Sequence, residues 1–186
     1  SANSLGIDVD NNSTITALSV ANITPVSIAS GRSLSGAITV TAGSLKLTEA
    51  GTLASTISMS GGVLDADESL TLSGALTQSG NITIDVADNK TLTYSGAALN
   101  LGANTLTLSG EGRLSNSYAL VLNHASSKLL LDSITVDSVR TSLASLGLDI
   151  DNNSTVSSLT VGHTTPVSIA SGRTLSGAIT VTAGSI

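Results

Sequence analysis

Two short acidic segments carry the residues of this chain whose types and spacing best suit binding of a metal ion. GIDVDNNST, which begins at Gly6, recurs as GLDIDNNST 141 residues later. Each segment has two aspartates and an asparagine at alternate positions, and carboxylate and amide oxygens are the ligands that Ca²⁺ prefers. The pattern therefore makes Ca²⁺ a candidate cofactor. The candidate ligands are Asp8, Asp10, Asn12, Asp149, Asp151 and Asn153.

The spacing within these segments excludes an EF-hand. An EF-hand loop needs Gly at its sixth position and Glu at its twelfth. The first segment has Ser13 and Ser19 there, and the second has Ser154 and Thr160. A looser oxygen site stays open. The interpretation that we favour is structural and needs no cofactor: the aliphatic residues between the aspartates face inward on a strand, and the two asparagines form a turn.

The duplication of these segments belongs to a long internal repeat. Residues 4–45 match residues 145–186, and 31 of the 42 paired positions are identical. Several exchanges replace one aliphatic residue by another, as buried positions allow. We expect a longer parent protein with tandem units of about 141 residues. In this interpretation residues 4–144 form one unit and residues 145–186 begin the next, within one continuous domain over residues 1–186.

A shorter pattern of alternating apolar and small polar residues runs through the whole chain. Such period-two segments are typical of half-buried strands, and the Gly and Asn residues between them are typical of turns. One segment, Asp137–Leu146, is the only one with a plausible helical turn. The nine clearest strand segments are 38–41, 45–47, 57–59, 70–72, 82–84, 92–94, 106–108, 120–122 and 134–136.

The pattern predicts an all-β fold, a right-handed parallel β-helix (β-solenoid) with coils of about 20–23 residues and about seven coils per unit. The tripeptide Ser-Gly-Ala recurs before strands at Ser35, Ser73, Ser95 and Ser176, with Ser109-Gly110-Glu111 as a variant. The absence of Phe and Trp suits a thin interior filled by Leu, Ile, Val and Ala. The distance from Ser95 to Ser109 is only 14 residues, which leaves an antiparallel β-sandwich as the alternative.

The stretch SGALTQSGNITIDVADNKTLTYSGAALNLGANTLTLSG resembles the β-solenoid regions of large bacterial surface adhesins of the filamentous-haemagglutinin and autotransporter-passenger type. The resemblance covers nearly the whole chain. It lies in the general residue pattern and not in a diagnostic motif, so no functional residue is carried over from it. It implies an extracellular or cell-surface location in a bacterium. It also implies an elongated scaffold or an adhesive fibre.

The residues that could support catalysis are few and scattered. The densest acidic group is Asp65, Asp67 and Glu68, and two arginines, Arg32 and Arg173, occupy the same position in the two copies. No Ser-His-Asp order or metal-ligand spacing is present, so we expect no enzymatic activity. The other residues considered are His124, His163, Tyr94 and Tyr118.

Thr-x-Thr motifs could bind ice if they lay on the same side of successive coils. They begin at Thr14, Thr39, Thr91, Thr105 and Thr180, and their spacings do not repeat. Outward Thr is also expected on any half-buried strand. An ice-binding or carbohydrate-active β-helix is therefore the least favoured function.

Composition and charge favour a structural role. The net charge of −6 disfavours nucleic acid and anionic membranes as partners, and no apolar run reaches the roughly 18 residues of a membrane span. We expect a rigid stalk, spacer or fibre segment whose partners are neighbouring repeats, with head-to-tail self-association into filaments. The alternative is an adhesin module that binds a glycan or a protein.

Overall fold

The computed structural model describes residues 6–186, and in this range all regular structure is β-strand. Nine coils follow one another along the chain. Coils 1 to 3 contain β1 (Ile7–Val9) and β2 (Ser13–Val20), then β3 (Ile23–Ile28) and β4 (Ser33–Val40), then β5 (Ser44–Leu47), β6 (Thr52–Leu53) and β7 (Thr56–Met59).

The remaining six coils have the same plan. Coils 4 to 6 contain β8 (Val63–Ala66), β9 (Leu70–Leu72) and β10 (Leu76–Gln78), then β11 (Ile82–Val86), β12 (Thr91–Tyr94) and β13 (Leu99–Asn100), then β14 (Thr105–Ser109), β15 (Arg113–Asn116) and β16 (Leu120–Leu122). Coils 7 to 9 contain β17 (Lys128–Leu131) and β18 (Thr135–Thr141), then β19 (Gly147–Ile150) and β20 (Ser154–Val161), then β21 (Val167–Ile169) and β22 (Leu175–Val181).

The strands form three faces. The first strand of every coil belongs to one nine-stranded sheet, which we call face 1. The other strands form a thirteen-stranded sheet that bends at a corner. We call its two sides face 2 and face 3. Long strands cross the corner: β4 pairs with β6 through Ser33 and Leu34 and with β7 through Ala37–Val40.

All strand pairs are parallel, so the predicted β-solenoid is confirmed and the β-sandwich is wrong. The offset between paired residues is 19 from Ile7 to Val26 and 24 from Ile84 to Leu108, which brackets the predicted coil length. The right-handed winding stays a prediction. The predicted helical turn is also wrong, because Asp137 to Thr141 continue β18, which pairs with β20 on one side and with β15 and β16 on the other.

The core consists of stacked aliphatic side chains. One column on face 1 runs through six coils and its members are completely or almost completely buried. Each such side chain stabilises the fold by about 1.5–3 kcal/mol through burial, and parallel pairing places the side chains of successive coils next to one another. The column is Leu45, Leu64, Ile84, Leu108, Leu131 and Ile150.

The Ser-Gly-Ala tripeptides mark the corner between faces 2 and 3. A Cβ atom on Gly36 would lie 2.0 Å from the carbonyl oxygen of Ile15, and on Gly177 1.7 Å from that of Val156. Only glycine lets the neighbouring coil approach so closely. Ser109 instead ends β14 on face 1, so the proposed variant is not equivalent to the tripeptides. The irregular spacing that favoured a sandwich is thereby explained.

Candidate functional site

The first acidic segment lies on coil 1, and its three candidate ligands have separate surroundings. Asp8 is exposed on face 1 beside Ser27 of the next coil. Asp10 is exposed just after the strand ends. The Oδ1 atom of Asn12 accepts a hydrogen bond of 3.0 Å from the backbone N–H of Ser33. The asparagine therefore links coil 1 to coil 2.

The second segment repeats this link with one added ion pair. The Asn153 Oδ1 atom accepts a 3.0 Å hydrogen bond from the backbone N–H of Thr174. The Asp149 carboxylate lies 2.8 Å from the Lys128 Nζ atom of the preceding coil, and the hydrogen bond from this ammonium group lowers the pKa of Asp149. Asp151 is exposed. Asp149 is therefore already neutralised by a cation of the chain itself.

No metal centre is assembled from the usual charged ligands. Across residues 6–186, no group of three or more His, Cys, Asp or Glu side chains is arranged to hold a metal ion. Calcium binding by the six candidate residues stays a prediction. A melting curve with and without chelator tests it.

The acidic group at residues 65–68 is divided between two lysines. The Lys46 Nζ atom lies 3.3 Å from Asp65 and 2.7 Å from Asp67, whereas Glu68 contacts Lys90 at 2.6 Å. Desolvation raises the pKa of Asp65 and outweighs the opposing attraction of Lys46. The hydrogen bond to Asp67 raises the pKa of Lys46. These carboxylates therefore form ion pairs between adjacent coils.

The other residues considered for catalysis are widely separated. Arg32 and Arg173 are exposed at equivalent corners of coils 2 and 9. The Nδ1 atom of exposed His124 accepts a 3.0 Å hydrogen bond from the backbone of Ser126 and so closes a local turn. His163 is exposed in the loop before β21. Within residues 6–186, none of these four residues forms an ion pair with an acidic side chain.

The two tyrosines have opposite environments. Tyr94 is 2% exposed and occupies the inward column of face 2, between Leu72 and Asn116. Burial raises the pKa of its hydroxyl group. Tyr118 is 55% exposed at the corner before β16. Only Tyr118 is available as an aromatic surface for a ligand.

The Thr-x-Thr motifs fall on different faces. Those at Thr39 and Thr180 lie on face 3, the one at Thr91 lies on face 2 and the one at Thr105 lies on face 1. The motif at Thr14 begins near the corner of coil 1. The motifs therefore do not form an array on successive coils.

Face 2 carries a column of hydroxyl groups that the motif search missed. Thr52 pairs with Thr71, Thr71 with Thr93, and Thr93 with Ser115, so four outward hydroxyls follow one another along the solenoid. A groove of about 270 Å³ lies over the first three coils of this column. The signal in the sequence is a single Thr or Ser at the same place in each of coils 3 to 6, which only the correct coil alignment reveals.

Hydrogen bonds and ion pairs between side chains of adjacent coils are the recurrent polar feature of the surface. Hydroxyl pairs join Thr14 to Ser35 at 2.8 Å and Thr155 to Ser176 at 2.9 Å. Arg113 contacts Asp137 of the following coil at 2.7 Å. Each exposed ion pair contributes about 0–1 kcal/mol. The surface therefore reinforces the stacking of the coils.

Comparison with profiles of protein families, with curated proteins and with solved structures found no match. Within residues 6–186 there is also no helix long and apolar enough to cross a membrane. The fold is therefore assigned from the strand pairing of this chain alone.

Proposed function

We propose that the chain is a length-determining segment, a stalk or spacer, of a repetitive bacterial surface protein. The observation that carries the proposal is the relation between the repeat and the coils. Strands β1 and β19 occupy the same position in the 141-residue repeat, and seven coil steps separate them on face 1. One repeat is therefore a whole number of coils.

Because one repeat is a whole number of coils, equivalent residues of successive units lie at the same place on the same face. Asp8 and Asp149 both face outward on face 1, and Asn12 and Asn153 make the same backbone link at 3.0 Å. Adding a unit thus lengthens the solenoid by complete coils, and equivalent residues stay on the same face. With about 4.8 Å per coil, seven coils add about 34 Å. The resemblance to adhesin solenoids supports the extracellular setting.

Electron microscopy of proteins with one, two and three copies of residues 4–144 tests the proposal. Rods should lengthen by about 34 Å per added copy and keep the same width. A control with 131 residues per added copy, shortened by half a coil, should disturb the rods at each junction. Compact or branched particles from the intact repeats would contradict the spacer function.

End-to-end stacking of copies is a second proposal for the same segment. Ile179 and Val181 on the unpaired edge of coil 9 are 47% and 48% exposed. Their equivalents Ile38 and Val40 on coil 2 are covered by coil 3 and are at most 1% exposed. Where no further unit follows coil 9, we propose that it stacks on coil 1 of a second copy, because an open sheet edge favours pairing.

Sedimentation velocity over a range of concentrations tests this contact. The unchanged chain should associate as concentration rises, and Val181→Lys should abolish association. The matched control Thr180→Lys adds the same charge at the adjacent outward position and should leave association largely intact. A monomer at all concentrations would show that the edge does not pair between copies.

A further inference from the structure

The pairing between coils is interrupted at one place. Eight steps join the nine coils, and on face 3 the strand pairing stops between β10 of coil 4 and β13 of coil 5. The same two coils remain paired on face 1 through β8 and β11 and on face 2 through β9 and β12. Among the described coils this is the only step that lacks one of its three ladders. We call it the seam.

Coil 5 differs from its neighbours by one extra residue in the corner next to the seam. From the corner serine to the first inward residue of face 3, coil 4 has three steps, from Ser73 to Leu76, and coil 6 also has three, from Ser117 to Leu120. Coil 5 has four, from Ser95 to Leu99, because its corner reads Ser-Gly-Ala-Ala. With this longer corner, β13 pairs with β16 of coil 6 and leaves β10 of coil 4 unpaired.

One hydrogen bond to a side chain replaces part of the missing backbone ladder. The backbone N–H of Leu76 donates a 3.1 Å hydrogen bond to the hydroxyl oxygen of Tyr94. The phenol therefore substitutes for a backbone carbonyl of coil 5. This bond replaces only one of the backbone contacts that a regular parallel ladder would supply.

An inward polar side chain raises the free energy of the closed seam relative to an open one. Gln78 pairs with Met59, so it occupies a position that is apolar in the preceding coil. Both polar atoms of its amide are buried and have no hydrogen-bond partner. Buried amides without partners destabilise the packed state. Opening of the seam would let water reach this amide.

We propose that the seam is a hinge at which the solenoid opens on face 3 while faces 1 and 2 stay paired. Local opening occurs where backbone hydrogen bonds are fewest and buried polar groups are unpaired. Both conditions hold at this step, and the two intact ladders keep the coils joined. The hinge depends on the geometry of coils 4 and 5 and not on the chain being a spacer.

Amide hydrogen exchange of the unchanged chain tests the hinge directly. Amides of β10 and β13 should exchange at least about tenfold faster than those of β7 and β16, because fewer ladder bonds must break to expose them. Equal protection of all four strands would overturn the proposal.

Deletion of Ala98 provides the matched variant. It returns coil 5 to the three-step corner of coils 4 and 6, so β13 can pair with β10 and exchange at the seam should slow to the rate of β7. Deletion of Ala75, from a corner of normal length, should accelerate exchange. If the Ala98 deletion fails to fold, Gln78→Met takes its place and should slow exchange at β10. Unchanged exchange in the folded variant would overturn the hinge.

Spin-label distances report the bending itself. The chain has no cysteine, so single cysteines at Thr39 and Ser158 place two labels on face 3, six coil steps apart or about 29 Å. The distance distribution should be broader in the otherwise unchanged chain than in the variant without Ala98. Equal widths would show that the seam does not bend.

Discussion

The replacement of Asn116 by leucine separates two views of what stabilises the solenoid interior. Asn116 is 5% exposed, and the inward column of face 2 that it ends otherwise contains Leu34, Leu53, Leu72 and Tyr94. If apolar stacking alone determined stability, leucine at this position should stabilise the fold. The hydrogen bonds of the amide predict the opposite.

The side-chain amide of Asn116 forms hydrogen bonds with four backbone groups. Its Nδ2 atom donates to the carbonyl oxygens of Tyr118 and Ser138, both at 2.8 Å. Its Oδ1 atom accepts from the N–H groups of Asp137 at 3.1 Å and Ser138 at 3.2 Å. Leucine would leave these four groups without their partner, at about 1–3 kcal/mol each and so at least about 4 kcal/mol in total. Gains from apolar burial offset about 2 kcal/mol, so we expect a net loss of at least about 2 kcal/mol.

Urea denaturation followed by circular dichroism measures this loss as a lower midpoint. The control Asn22→Leu makes the same exchange at an exposed position that is histidine in the second copy, and should change the free energy of unfolding by less than about 0.5 kcal/mol. Equal or greater stability of Asn116→Leu would refute the account given for the amide.

Three further predictions concern the core, the charges and the backbone. Leu64→Ala should lower the free energy of unfolding by about 2–5 kcal/mol, measured by urea denaturation, because Leu64 is completely buried. Lys128 lowers the pKa of Asp149 in the folded state, so the pair stabilises the fold above the unfolded pKa. The stability difference between the unchanged chain and Lys128→Gln should therefore vanish as the pH falls below about 4, and a constant difference would contradict the pairing. Glu111 has a φ angle of 65°, so Glu111→Gly should raise the thermal midpoint by relieving about 1 kcal/mol of strain; a lower midpoint would show that the glutamate side chain contributes more.

The strand pattern could be predicted from the sequence because alternation is a local signal. All nine predicted strand segments overlap strands: seven lie wholly within one, including Ile57–Met59 in β7, and two extend one residue beyond, at Thr41 after β4 and Ile134 before β18. The two-residue strands β6 and β13 could not be predicted in this way, since two residues show no alternation. Their conformation depends on pairing with neighbouring coils: β6 pairs with β4 and β9, and β13 pairs with β16.

The alignment between coils was harder to predict than the strands. The Ser-Gly-Ala tripeptide repeats because one corner admits only glycine, yet a similar tripeptide at Ser109 lies on another face. The predicted turn at Asp137 failed because the polar residues there bond between coils: Asp137 contacts Arg113. Such contacts join residues about 20 positions apart and leave no local pattern. The links made by Asn12 and Asn153 escaped prediction for the same reason.

The seven-coil repeat also has a consequence for the gene. Recombination between two copies of the repeat removes or inserts about 141 codons, and each such event changes the protein by seven complete turns. In a parent protein with the proposed tandem units, face 1, the hydroxyl column of face 2 and the seam would keep their positions within each unit. Populations could therefore vary the length of the protein in steps of one unit while its surface chemistry stays constant, and the seam would recur once in every unit.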